Sequence, residues 1–240
     1  MSALFAALQF LTLCPWPARM DYTDADIGRS AIFFPVIGLI LGSILVVVNF
    51  VLAPFASAAL LSVILVGLSA FVTRGLHLDG LGDTFDGLGA GGGRDRMLTV
   101  MGDSRIGVFG LIAVVLVLLL KIHALESIDA DRWQTLLIAL ILGRWAMVLL
   151  AYRSKAAKDG LGSRLIDHLK TKYFLIATLL TLLLVAAIWR SNGIVMMAWV
   201  AIFTVASKTY FHRRLGGVTG DTCGAVGELS ETSVMVLLAL

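Results

Sequence analysis

The densest group of chemically useful side chains is the acidic segment HLDGLGDTFDG, residues 77–87. On a helix, Asp79, Asp83 and Asp86 fall within about 60° of one another and so share one face. Like charges on one face repel unless a cation neutralises them, and oxygen ligands at this density suit Mg²⁺ or Mn²⁺. The spacing predicts a divalent metal site at these carboxylates, with His77 beside it as a candidate catalytic residue. A solvated acidic helix face would show the same pattern.

A glycine-rich loop with two arginines follows directly, and residues 87–96 read GLGAGGGRDR. They match the GxGxxG pattern of dinucleotide sites, but no strand precedes them and no P-loop Gly-Lys-Ser/Thr follows. Backbone N–H groups in such loops cradle phosphate. Gly91, Gly92, Arg94 and Arg96 are therefore candidates for binding an anionic substrate, while a flexible linker explains the loop equally well.

A second acidic group lies near the end of the chain, where Asp221, Glu228 and Glu231 precede an apolar run. A carboxylate inside a membrane costs several kcal/mol unless it is paired or faces a polar cavity. Arg144, near the middle of another apolar run, is the obvious counter-charge, so we expect it to pair with Glu228, with Glu231, or with substrate phosphate beside them. Glu228 and Glu231 are therefore also candidate substrate-binding residues. Lys121 could snorkel to the interface and is therefore less telling than Arg144.

Composition defines the kind of fold that must position these residues. The 240 residues are 59% hydrophobic and 15% charged, with a mean hydropathy of +0.94. Soluble domains average about 45–50% apolar and about 25% charged residues, which excludes a soluble globular domain, a disordered chain and a coiled coil. The prediction is an all-α, polytopic integral membrane helical bundle forming one domain over residues 1–240.

About seven apolar runs are long enough to cross a bilayer. They lie near residues 31–53, 56–73, 107–125, 133–152, 173–190, 192–211 and 223–240. Residues 1–14 are too short to span and are closed by Pro15 and Pro17, so they are predicted to form an interfacial or re-entrant helix.

Charge is distributed unevenly around these runs. Fifteen of the 19 Lys and Arg residues lie in alternate flanking segments, and two lie in the segments between them. Cytoplasmic loops carry the excess of Lys and Arg, so residues 74–106, 153–172 and 207–222 are predicted to be cytoplasmic and residues 126–132 external. Thirteen of the 16 acidic residues share the cytoplasmic side, which predicts that the chemistry occurs there. The basic segment 153–172 suits an anionic substrate or anionic lipid equally well.

Clustered carboxylates, a bound cation and nearby arginines together favour phosphoryl or nucleotidyl transfer at a membrane surface. Several blocks of the chain also resemble the cobalamin synthase family. These blocks are GLHLDGLGDTFDGLG (75–89), MGDSRIGVFG (101–110), GRW (143–145) and GVTGD (217–221) with Glu228 and Glu231, together with FLTLCPWP (10–17) and FPVIGLILG (34–42). One departure is Leu13, where many members carry Arg.

The resemblance implies a Mg²⁺-dependent enzyme of the bacterial cytoplasmic membrane that acts late in cobalamin biosynthesis. Its substrates would be adenosylcobinamide-GDP and α-ribazole or its 5′-phosphate, joined with release of GMP. Asp79, Asp83 and Asp86 would hold the metal, Asp103 or Asp221 would be the base, and Arg94, Arg96, Arg105 and Arg144 would contact the pyrophosphate. The expected partners are these substrates and the lipid bilayer, without nucleic acid. A homo-oligomer, or association with other cobalamin-assembly enzymes, is an open alternative.

Two other functions fit parts of the pattern. A CDP-alcohol phosphotransferase also places an Asp-x₃-Asp pair at the end of a span, but its Ala-Arg element does not follow Asp79-Gly80. A cation-coupled transporter would combine broken glycine-rich helices with buried carboxylates. A transporter would also predict internal repeats and acidic residues at the bilayer midplane, whereas no repeat is evident and the acidic residues gather at one interface.

Overall fold

The computed structural model describes residues 2–12 and 22–240, and the regular elements within them are helices, as the composition predicts. In chain order the α-helices are α1 (Ser2–Leu11), α2 (Asp24–Ser30), α3 (Phe34–Leu52), α4 (Ala58–Val72), α5 (Leu76–Gly89), α6 (Arg94–Val100), α7 (Val108–Ser127), α8 (Arg132–Ala151), α9 (Leu161–His168), α10 (Thr171–Ile188), α11 (Arg190–Leu215) and α12 (Gly220–Ala239). A short 3₁₀ turn, Ala31–Phe33, joins α2 to α3.

Each of the seven predicted spans corresponds to a helix, but fewer than seven are both long and apolar enough to cross a membrane. Five qualify among the described residues: Asp24–Leu52, α7, α8, α10 and α11. The count becomes six if α4 and α5, which meet at 87°, form one broken span. Helix α12, which carries Asp221, Glu228 and Glu231, is not among them. The predicted count of about seven is therefore higher than the structure supports.

Helix α8 is the centre of the bundle and is buried on nearly all sides by α3, α10, α11 and α12. The outward faces of the surrounding helices are apolar, with exposed side chains such as Phe50, Leu183 and Ile202. A soluble monomer rarely exposes so much continuous apolar surface, whereas lipid is a suitable solvent for it. The protein is accordingly a membrane protein whose core lies along α8.

The turn between α4 and α5 sets the direction of the helix that carries the acidic segment. Arg74 and Gly75 both adopt left-handed backbone conformations, with φ of 58° and 64°. Because the helices meet at 87°, they cannot both follow the membrane normal. Helix α5 has 14 residues and a length of about 21 Å, against a hydrocarbon thickness of about 30 Å, so it does not span the membrane by itself.

The N-terminal segment forms α1, which packs against α2 and α3. Leu13, Pro15 and Pro17 lie outside the described residues. The predicted helix is therefore present at Ser2–Leu11, and its interfacial or re-entrant placement stays a prediction.

Candidate active site

A cavity of about 920 Å³ opens at one end of the bundle. Its walls come from α1, the α4–α5 turn with the start of α5, residues 158–163, and the start of α12. Apart from α1, these segments lie in or next to parts of the chain that the charge pattern predicts on a single side. Its polar lining includes Arg74, Asp79, Lys158, Asp159, Ser163 and Asp221.

Two helices bring carboxylates to this cavity because their backbones touch. A Cβ added to Gly80 of α5 would lie 2.9 Å from the carbonyl oxygen of Asp221 in α12, so any side chain there would collide. The contact places Asp79 and Asp221 in the same lining, with the half-buried Asp83 next to them. None of the three has an ion-pair partner among the described residues. We call Asp79, Asp83 and Asp221 the cavity carboxylates; Asp79 and Asp221 line the cavity, and Asp83 lies beside them behind the lining.

The charge of this group is only partly compensated. Burial and the neighbouring carboxylates Asp79, Asp221 and Asp86 raise the pKa of Asp83 to about 6, and the nearby charge of Lys158 opposes that rise. Crowded anions of this kind are stabilised by a cation. The sequence located two members of this group on α5 but did not place Asp221 beside them.

Asp86 does not share the environment of the cavity carboxylates. It is 8% exposed, and its two carboxylate oxygens accept hydrogen bonds from the backbone N–H groups of Gly107 at 2.6 Å and Gly110 at 2.8 Å. A Cβ on either glycine would lie 2.3 Å from a carboxylate oxygen. Asp86 therefore caps the N-terminus of α7, where negative charge is favoured, and the predicted three-carboxylate ligand set does not form.

The remaining carboxylates fit Mg²⁺, which is usually held by one or two protein carboxylates together with water and substrate phosphate. Within the described part of the chain, no three His, Cys, Asp or Glu side chains converge as a complete ligand set. Asp79 and Asp83, one helical turn apart and without cationic partners, are suited to supply such a partial set.

The second acidic group lies in a separate, buried region. Glu231 is ion-paired with Arg144 and Lys121, and Glu228 with Lys121; the Lys121 Nζ to Glu231 Oε2 distance is 2.8 Å. All four residues are at most 5% exposed. The predicted pairing of Arg144 with a glutamate is confirmed. Lys121, which could have snorkelled to the interface, instead bridges both glutamates. We call these four residues the buried ion cluster.

The buried ion cluster is separated from the cavity lining. Neither Glu228 nor Glu231 belongs to that lining, so their predicted contact with substrate is not supported by their position, and the same holds for Arg144. His77 lies between the two regions: it borders the cavity and is 1% exposed, and its ring nitrogens have no hydrogen-bond partner among the described residues. Its catalytic role stays a prediction.

The other predicted phosphate ligands also lie outside the cavity lining. Arg94 donates from Nε to the Leu215 carbonyl at 2.7 Å and from Nη2 to the Ala157 carbonyl at 3.0 Å, so it fastens α6 to the neighbouring loop. Arg96 is exposed. Gly91 and Gly92 adopt positive φ of 65° and 82° in the turn before α6.

Asp103 and Arg105 pair with each other at the surface. Arg105 donates from Nε and Nη2 to the two Asp103 carboxylate oxygens, at 3.0 Å and 2.7 Å. These bonds lower the pKa of Asp103 to about 2. A carboxylate held in this way is a weak base, so Asp221, which lines the cavity, is the better placed of the two predicted bases.

Sequence reasoning missed Arg74 and did not single out Lys158, although both line the cavity. Lys158 begins the segment KDGLGSR (158–164), and Arg74 immediately precedes the acidic block. A basic residue beside glycines could have marked Lys158 as a candidate ligand. Arg94 also follows a glycine-rich loop, however, and it does not line the cavity. The arrangement of the helices in space distinguishes the two.

The fold and the site define a helical membrane protein with an acidic cavity at one end of the bundle, the arrangement of an integral membrane phosphotransferase. The family model for cobalamin-5-phosphate synthase matches residues 3–239. The chain therefore belongs to the cobalamin-5-phosphate synthase family, and the predicted resemblance is confirmed.

Curated relatives agree with this assignment over nearly their whole length. A protein of Geotalea daltonii named adenosylcobinamide-GDP ribazoletransferase is 42% identical over 98% of this chain and 96% of its own. Proteins with the same name from Caldanaerobacter subterraneus and Acetivibrio thermocellus are 32% and 34% identical, covering 98% and 94% of their own lengths. No solved structure matches the chain. The relatives are named as enzymes, which favours the transferase over the transporter and CDP-alcohol alternatives.

Proposed function

We propose that this protein is the membrane transferase that joins adenosylcobinamide-GDP to α-ribazole or α-ribazole 5′-phosphate and releases GMP, late in cobalamin biosynthesis. The observation that carries the proposal is the meeting of two family blocks, at Asp79 and Asp221, on a cavity of about 920 Å³. The positive-inside rule supports a cavity that opens to the cytoplasm.

The reaction is a displacement at phosphorus. The 3′-hydroxyl of α-ribazole attacks the phosphorus on the cobinamide side of the diphosphate, forming a P–O bond while the anhydride bond to GMP breaks. Asp221 lies on the cavity wall and accepts the hydroxyl proton. The cavity at Asp221 would bring the reacting diphosphate and the reacting hydroxyl together, which would make the attack effectively intramolecular.

Asp79 and Asp83 would hold Mg²⁺, and a bound Mg²⁺ would neutralise charge on the phosphate oxygens. The support for this assignment is that both carboxylates lack a cationic partner and that burial and neighbouring carboxylates raise the pKa of Asp83. Asp86 is not assigned to the metal, because both of its carboxylate oxygens cap the N-terminus of α7.

Incubating the purified protein with adenosylcobinamide-GDP, α-ribazole and Mg²⁺ tests the proposal, with GMP and the new corrinoid measured together. We expect stoichiometric formation of both, and loss of activity in Asp79→Asn. Asp95→Asn is the matched control, because Asp95 has a 95% exposed side chain and lies outside the cavity lining. Absence of GMP from the wild-type reaction would contradict the proposed function.

A further inference from the structure

Two cations that the reaction scheme leaves unused face the cavity. We propose that Arg74 and Lys158 bind the diphosphate of the substrate, in place of the arginines that follow the glycine-rich loop. This inference rests on the proposed function, since the diphosphate belongs to the substrate assigned there. It adds two binding residues from separate segments of the chain.

Lys158 is placed to act at the carboxylates. Its side chain is exposed, lines the cavity, and has no ion pair or hydrogen bond to another described residue. Its charge acts on both Asp83 and Asp221. A Cβ added to Gly102 would lie 2.8 Å from Lys158 Nζ, so the glycine of the MGDSR block leaves room for the ammonium group. A phosphate beside the cavity carboxylates would therefore meet Lys158.

Arg74 approaches the cavity from the α4–α5 turn. Its side chain is exposed to the cavity and has no partner among the described residues. Its φ of 58° is uncommon for a residue other than glycine and costs conformational free energy. Guanidinium groups bind phosphate oxygens in a bidentate manner, which makes the free Arg74 side chain suited to a diphosphate.

The distribution of charge supports the assignment of diphosphate binding to Arg74 and Lys158. The cavity carboxylates repel a diphosphate, so cations must offset them at the point of contact. The other candidate arginines already have partners. Arg94 donates two hydrogen bonds to backbone carbonyls, Arg105 is paired with Asp103, and Arg144 is paired with Glu231. Arg74 and Lys158 keep their charged groups free within the lining.

The chain offers matched controls for both residues. Lys155 is exposed in the same loop as Lys158, and Arg153 has a similar left-handed conformation to Arg74, with φ of 53°. Neither lines the cavity. Left-handed backbone by itself therefore marks no site, and Arg153→Met and Lys155→Met report any general effect of removing a cation from this side of the protein.

The test uses the full chain in detergent, with GDP and Mg²⁺ as the binding probe and the transfer reaction as a kinetic readout. We expect Lys158→Met and Arg74→Met each to weaken GDP binding about 10- to 100-fold, the range of one lost charge-assisted hydrogen bond. The KM for adenosylcobinamide-GDP should rise similarly, while the KM for α-ribazole stays unchanged. Lys158→Arg should retain most of the affinity, and both control variants should bind GDP as the wild type does.

Three results would overturn the inference. The first is that Arg74→Met and Lys158→Met both bind GDP, and have a KM for adenosylcobinamide-GDP, like the wild type. The second is that Arg153→Met and Lys155→Met lose as much GDP affinity as the cavity variants. The third is that the cavity variants raise the KM for α-ribazole as much as the KM for adenosylcobinamide-GDP. In each case wild-type release of GMP would leave the proposed function intact. If the wild type released no GMP, the proposed function would fail, and GDP binding by the variants would still decide whether these cations bind phosphate.

Discussion

The cavity carboxylates and the buried ion cluster each hold acidic side chains from α12, but their charge is balanced differently. In the buried ion cluster two cations face two carboxylates, and all four groups are removed from water. The cavity carboxylates are at least partly exposed and have no ion-pair partner among the described residues. Burial without compensation is too costly to persist, so an uncompensated group must stay within reach of solvent or a ligand.

This difference separates residues that shape the bundle from residues that meet the substrate. Asp221 and Glu228 lie on the same helix, seven positions apart. The first faces the cavity and the second faces Lys121 of α7. The middle of α12 thus stabilises the fold, and its start lines the cavity. Substitution of Glu228 should therefore lower stability, whereas substitution of Asp221 should lower activity.

The largest effect is expected at the buried ion cluster. Arg144→Met leaves two buried carboxylates, Glu228 and Glu231, with one cation between them, and should destabilise the protein by about 3–5 kcal/mol, as breaking a buried ion pair does. Thermal and denaturant unfolding in detergent measure this loss. Adding Glu231→Gln should recover most of it, whereas Glu228→Gln should recover less, because Arg144 contacts Glu231. A stable but inactive Arg144→Met protein that neither second change repairs would instead assign Arg144 to catalysis.

The cavity carboxylates should respond in the opposite way. Asp83→Asn removes one metal ligand at nearly constant size, and activity should fall at least about a hundredfold, as loss of a metal contact worth several kcal/mol produces. The protein should unfold at the same or a higher temperature, because one repelling charge is gone. Asp95→Asn is the control for a general effect of neutralisation. Near-normal activity of Asp83→Asn at saturating Mg²⁺ would show that Asp83 is a solvated surface residue and not a metal ligand.

Asp86 combines features of the two regions, since it is acidic, buried and satisfied by backbone donors. Asp86→Ala leaves the buried Gly110 N–H and the partly buried Gly107 N–H at the start of α7 without an acceptor, and should cost about 2 kcal/mol of stability. Asp86→Asn retains one acceptor oxygen and should cost less. A higher Mg²⁺ concentration should restore the stability of neither variant. A Mg²⁺-dependent recovery of activity in Asp86→Asn would instead indicate that Asp86 is a metal ligand.

Much of this arrangement is readable in the sequence. The apolar runs give the helices, and the i, i+4 spacing places Asp79 and Asp83 on one face. Arg144 could be paired in advance because an intramembrane arginine needs a partner and few acidic residues were available. These inferences use local periodicity and the cost of buried charge, and both are properties of short stretches of chain.

The remaining features depend on which helices touch. Lys121 has a side chain long enough to snorkel, and only the approach of α12 to α7 makes it a partner of both glutamates. Asp86 has the spacing of a metal ligand, yet the glycines at 107 and 110 let the start of α7 reach it first. Arg94 and Lys158 both neighbour glycine-rich sequence, and only the packing of residues 158–163 against α12 selects Lys158 for the cavity.

A smaller effect concerns pH. Since the pKa of Asp83 is raised to about 6 in the folded protein, its contribution to stability is complete below its ordinary pKa and is lost as pH rises through about 6. Without Mg²⁺, the unfolding temperature of the wild type should therefore fall over this range more than that of Asp83→Asn. Parallel pH profiles for the two proteins would show that Asp83 is not perturbed by its neighbours.

The smallest perturbation tests which side of the membrane the two regions face. Single cysteines at Ser127 and Ser154, in an otherwise cysteine-free protein, should leave activity unchanged, because neither residue lines the cavity. In intact cells an impermeant thiol reagent should label position 127 and not position 154, as the positive-inside rule requires. Disrupting the cells should make position 154 reactive and so control for its accessibility. Equal labelling in intact cells would break the link between the cationic segments and the cytoplasm, and would leave the cavity carboxylates without the compartment in which the proposed nucleotide substrate is expected.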